Sequence, residues 1–173
     1  MLAIARATLV DDLAGQTESV AADADWLREP GACFVTLHRQ GELRGCIGSM
    51  LAYRPLLEDL RANARGAAFH DPRFSPLEAW ELADLEIEVS LLSSLETMDF
   101  DTEEDLLEQL RPGIDGLLLE CGTHRGTFLP AVWRSLRSPT AFLNKLKLKA
   151  GLAEDFWSPD VTVKRYVTHS WGE

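Results

Sequence analysis

Leu43-Arg44-Gly45-Cys46-Ile47-Gly48 is the stretch on which the reading of this chain turns. Taken as a β-strand, its alternation sends Leu43 and Ile47 to one face and Arg44 and Cys46 to the other. The apolar pair is expected to face a core, so Arg44 and Cys46 are expected to emerge together on a wetter surface. Gly45 and Gly48 leave backbone room there for a ligand or a neighbouring strand. Upstream, Phe34 to Arg39 reads as a partner strand, and Gln40-Gly41 supplies a hairpin bend into an arm running to Met50.

Working outward, Leu2 to Leu13 has helical spacing and Gly15 to Asp25 reads as a loop. Pro55 opens a helix whose face carries Leu56, Leu60, Ala64 and Ala67 until Asp71-Pro72 ends it. A short helix is expected over Pro76 to Leu82. Leu85 to Leu92 alternates as a strand with Glu86, Glu88 and Ser90 on its polar face. Farther on, the pattern predicts a helix at about 102 to 110 and a hairpin of Gly116–Cys121 with Arg125–Leu129 bending at Gly122. A short helix from Pro130, a helix capped by Ser138 and stopped at Gly151, and a strand over Val161 to Thr168 follow. Gly41 and Gly122 stand at the same offset as Arg44 and Arg125. The stretches 34–93 and 114–170 therefore read as two related ββαβ units within a single domain, residues 1–173, of α+β class with mainly antiparallel pairing.

The 173 residues carry a formal charge of −11 and a pI near 4.8, which disfavours a whole-surface binder of nucleic acid or anionic membrane. Ordinary globular composition disfavours disorder. The start of the chain lacks the small-residue cleavage site of a signal peptide, and no apolar run reaches membrane-spanning length. Three unpaired cysteines, Cys33, Cys46 and Cys121, predict reduced thiols and a cytoplasmic setting. Phosphate-loop, dinucleotide and Gly-x-Ser-x-Gly signatures are absent. Cys121 with His124 is half a metal site, so neither a metal nor a cofactor is expected.

A cation beside a half-exposed thiol favours thiolate, which makes Arg44 and Cys46 a candidate nucleophilic pair. The competing reading makes Cys46 a small buried filler and Arg44 a partner for a carboxylate. Glu88 or Ser90 would lie nearby if their strand pairs with the hairpin, and His70, at a helix end, is either a base or a cap. The basic run from Arg125 to Lys149, including Lys145 and Lys149, is expected to neutralise the acidic segment Glu96 to Glu108, with RNA binding as the alternative. The five tryptophans read as packing residues.

LRGCIG at 43–48, DPRF at 71–74, Glu88-Val89-Ser90 and RGTFLP at 125–130, in this order, resemble the AMMECR-one domain family, called protein A of the AmmeMemoRadiSam system. The resemblance spans about Leu2 to Tyr166. It implies a larger and a smaller subdomain packed with a cleft between them, lined by the signature strand. It also implies action beside a Memo-like protein and a radical S-adenosylmethionine enzyme, and it brings no settled reaction. The candidate ligand-binding residues carried over are Arg44, Gly45, Cys46, Gly48, Asp71, Arg73, Ser90, Leu129 and Pro130, with Glu88 and His70 as weaker transfers. Three functions stay open: a substrate-handling accessory protein that binds a small molecule, nucleotide or peptide; a thiol enzyme with Cys46 as nucleophile; and an RNA-binding module.

Overall fold

A computed structural model describes residues 1–15 and 20–173; part of the loop expected over Gly15 to Asp25 falls at 16–19, outside the described residues. The chain is α+β and divides into two units, residues 1–92 with 169–173, and residues 93–168.

In the first unit, strands β1 (Cys33–Arg39), β2 (Glu42–Gly48), β3 (Leu85–Leu92) and β8 (Thr168–Gly172) form a sheet in the order β2-β1-β3-β8. The β1–β2 and β1–β3 pairs are antiparallel. Helices α1 (Leu2–Ala14) and α2 (Leu56–Arg65) cover one face. Ile4, Leu9, Leu60 and Ala64 pack there against Val35, Leu37, Ile87 and Val89, all buried. Burial of this apolar stripe is what holds the helices on the sheet. After Arg65 the helix widens into one π-type turn, Gly66–His70, which places Ala67 and Ala68 in the core and delivers Asp71 to the edge of β2.

In the second unit, β4 (Glu96–Thr97), β5 (Gly116–Cys121), β6 (His124–Phe128) and β7 (Thr162–Tyr166) order as β4-β7-β5-β6, every pair antiparallel. Helix α3 (Glu103–Gln109) contributes Leu106, and α4 (Pro139–Lys149) contributes Phe142, Leu143 and Leu146, to a core over Leu117, Leu119 and Val163. Ser138 caps α4 through its hydroxyl, with Pro139 next. Trp133 stacks on Phe142 at 3.9 Å and donates its indole N–H to the Asp115 carbonyl at 2.7 Å.

Three expectations need correction. The short helix expected over Pro76 to Leu82 is a 3-10 turn at Ala79–Asp84, set by a reciprocal cap between Glu78 and Glu81. The last strand is two, β7 and β8, because the chain leaves one sheet at Val167 and joins the other; a sequence run cannot reveal such an exchange. Of the five tryptophans Trp133 is buried and Trp157 packs half-buried against the core of the second unit, whereas Trp26, Trp80 and Trp171 are exposed.

Candidate functional site

The first hairpin turns at Gln40 and Gly41, both with positive φ, the arrangement that matches strand twist in a two-residue turn. From the turn, Arg39 pairs with Glu42 and His38 with Leu43, but Leu37 pairs with Gly45. Arg44 is therefore an extra residue, a β-bulge, and alternation on β2 reverses across it. Leu43 consequently shares His38's outward face and is 40% exposed, which overturns the expectation that it faces the core. Ile47 does pack against the core.

The bulge also re-aims Arg44. Its guanidinium forks onto Glu81, with Nε donating to Oε1 at 2.8 Å and Nη2 to Oε2 at 2.9 Å, and it donates further to the carbonyls of Ser75 and Pro76. These side chains are 14% and 6% exposed, so the pair is nearly desolvated. The Arg44 hydrogen bonds hold the Glu81 carboxyl below its ordinary value. Arg44 thus pairs with a carboxylate, as the competing reading proposed, rather than serving the Cys46 thiol.

Cys46 lies on the face opposite the core, half-buried, in register with Thr36, which is itself in register with Glu88. The three side chains form a row across β2, β1 and β3, and Thr36 Oγ1 donates to Cys46 Sγ at 3.4 Å. Two strand spacings separate Cys46 from Glu88, ~10 Å, so Glu88 stands across Thr36 rather than against the sulfur. The next row is Gly48, Phe34 and Ser90. A Cβ on Gly48 would sit 2.2 Å from the Phe34 ring, so glycine is what lets that ring lie flat on the strand. Ser90 shares a 2.7 Å hydrogen bond with Ser170 and lies 3.5 Å from Glu88.

Asp71 and Arg73 sit at the outer edge of β2. Asp71 accepts from the Cys46 amide at 2.9 Å, replacing the ladder bond an edge strand lacks, and from Arg73 through its amide, Nε and Nη2. The Arg73 bonds hold the Asp71 carboxyl well below the usual carboxylate range. Arg73 Nη2 also reaches the Cys46 carbonyl at 3.4 Å, so the guanidinium beside residue 46 is Arg73. His70 is exposed, its ring edge-on to Phe69 at 6.5 Å. Gly45 is fixed by close approach, since a Cβ there would lie 2.1 Å from the Ala67 carbonyl oxygen.

Leu129 and Pro130 belong to the second unit, where they open the 3-10 turn Pro130–Arg134 and Pro130 is buried. Three of the six cations in the neighbouring basic run are ion-paired: Arg125 with Glu120, Lys145 with Glu154, and buried Lys147 with Glu103. Lys147 to Glu103 joins the run to the acidic segment, whereas Lys145 and Lys149, expected to face that segment, meet Glu154 and the Thr127 carbonyl, and Glu96 is met by Arg165 from outside the run.

Sequence reasoning missed a polar cluster behind β1. Asp59, fully buried, accepts from the Cys33 amide, Ser49, Arg54 and Asn63, and Asn63 also donates to the Cys33 carbonyl. Burial first, and then the Asp59 charge, push the Cys33 thiol up to about 12. A signal existed: Asp59 and Asn63 interrupt the apolar stripe of Leu56, Leu60 and Ala64, where an unpartnered polar side chain would be costly.

The model of the AMMECR1 family matches residues 2–171. A protein of Methanothermobacter thermautotrophicus is 36% identical over 174 residues, covering 96% of this chain and 88% of its own. One of Methanocaldococcus jannaschii is 38% identical over 160 residues, covering 88% and 78%. The crystal structure of an uncharacterized protein from Pyrococcus horikoshii aligns with a TM-score of 0.86 at 31% identity, covering 99% of this chain and 89% of that one.

Proposed function

The chain belongs to the AMMECR1 family, and on that premise we propose that it is a cytoplasmic accessory protein that holds a small molecule, nucleotide or peptide against the outward face of β2, β1 and β3. By family analogy it would do so for a Memo-like protein and a radical S-adenosylmethionine enzyme. The observation that carries this reading is the row Cys46, Thr36, Glu88: thiol, hydroxyl and carboxylate at strand spacing on the half-open face of the first unit. Such an array offers donors and acceptors in a line, suited to grip rather than to attack. Neither Arg44 nor Glu88, two groups that would make Cys46 a conventional nucleophile, stands at its sulfur. Arg44 is committed to Glu81, and Glu88 lies beyond Thr36.

A thiol-enzyme reading draws on two neighbours of Cys46, the Thr36 hydroxyl donated to its Sγ and the Arg73 guanidinium at its carbonyl. A thermal-shift screen against a panel of nucleotides, amino acids and short peptides separates the two. The binding reading expects a stabilising compound whose effect disappears in Thr36→Val and Glu88→Gln and persists in Cys46→Ser. A compound consumed by the wild type and untouched by Cys46→Ser contradicts it and supports the enzyme.

A further inference from the structure

In the second unit an open groove of about 420 Å³ runs between the segment Thr97–Asp101 and the segment Trp157–Thr162. Its lining mixes polar groups with an apolar strip: Phe100 and Trp157 meet at 5.8 Å between ring centroids, and Pro159 and Val161 continue the strip. Exposed Asp99 and Asp101 stand on one lip, and exposed Asp155 and Asp160 lie in the stretch that carries Trp157. Other carboxylates of the acidic segment are spent internally, Glu96 on Arg165 and Glu103 on Lys147. Lys147 Nζ lies 5.6 Å from the Trp157 ring, so this indole already receives one ammonium ion from within the fold.

We propose that this groove docks a basic, amphipathic segment of a partner protein, its apolar side chains on Phe100, Trp157 and Pro159 and its lysines or arginines on the aspartates. The surface is independent of the Cys46 row and would give the chain a separate means of recruiting a partner. Charge complementarity selects the occupant. Carboxylates on the lip repel RNA and anionic lipid, and a second copy of a chain at −11 brings the wrong sign. The strip of Phe100, Trp157 and Pro159, set among polar groups, favours a peptide with alternating character over a purely polar cation.

The test uses a short, capped, fluorescein-labelled lysine–leucine peptide, followed by anisotropy at low salt. Asp99→Asn with Asp101→Asn removes two exposed charges from the groove. Glu42→Gln with Glu58→Gln removes two exposed charges from the other unit and serves as a control of equal net charge. Saturable binding is expected, weakened about five-fold by the groove variant and less than about two-fold by the control. The proposal is overturned by the absence of saturable binding, by equal weakening in both variants, or by full displacement with tetramethylammonium at the peptide's own affinity.

Discussion

The two hairpins repeat one plan and differ by a single residue. In both units the strand order is second arm, first arm, third strand: β2-β1-β3 and β6-β5-β7. In both a glycine of the second arm lies beneath the end of the following helical stretch, Gly45 under Ala67 and Gly126 under Ala150. The first turn has Gln40 and Gly41 at its centre; the second has Gly122 and Thr123, with only the glycine at positive φ. The bulge at Arg44 absorbs that one-residue shift, whereas Arg125 stays in register with Glu120. A bulge therefore converts a surface arginine into one locked on Glu81.

The residues after those glycines differ equally. Thr127 spends its hydroxyl on the Leu117 carbonyl and on buried Tyr166, whose phenol burial pushes up to about 12. Its counterpart Cys46 accepts at its sulfur from the Thr36 hydroxyl on a half-open face. The second unit closes the position that the first leaves available.

The largest effect expected from this contrast is at the glycines. Gly45→Ala drives a Cβ into a backbone oxygen that cannot swing away and is expected to cost about 3 kcal/mol in urea unfolding, or to prevent folding. Gly126→Ala, whose Cβ would meet Ala150 at 3.0 Å, is expected to cost about 1 kcal/mol. Equal losses would break the contrast. Next come the ion pairs. Glu81→Gln leaves a nearly desolvated guanidinium without its charge partner, a loss of about 2 kcal/mol, while Glu120→Gln should change stability by under about 0.5 kcal/mol. Similar values for the two would mean that the bulge does not bury the arginine in solution.

A smaller effect concerns acid. Because Asp71 has a depressed pKa in the folded state, its contribution is fully present above the unfolded value, about pH 4, and is lost as pH falls through the folded value. Asp71→Asn should flatten the fall of stability below about pH 4 and leave the slope at neutral pH unchanged. An unaltered acid slope would show that the edge of β2 is held by something other than this carboxylate.

Much of the fold was legible because hydrophobic period and turn chemistry agree locally. The hairpins, the stripe of Leu56, Leu60 and Ala64, the Ser138-Pro139 start and the Gly151 stop are set by neighbours in sequence. The site was less legible. Alternation counts residues, whereas facing is set by hydrogen-bonded register, so Leu43 and Arg44 were misplaced by one bulge. Glu81 sits thirty-seven positions from Arg44, and nothing local announces their pairing. Glu88 was placed on the correct face, but the intervening Thr36 belongs to β1 and emerges only once the strands are ordered.

Competition among the three thiols tests the account most directly. Native protein treated with iodoacetamide near neutral pH and mapped by mass spectrometry should label half-buried Cys46 and Cys121 at comparable rates and Cys33 only on unfolding, since Cys33 is sealed beside Asp59. Cys46 remaining unlabelled until the protein unfolds, or reacting no faster than Cys33, would contradict a thiol presented on an open sheet face.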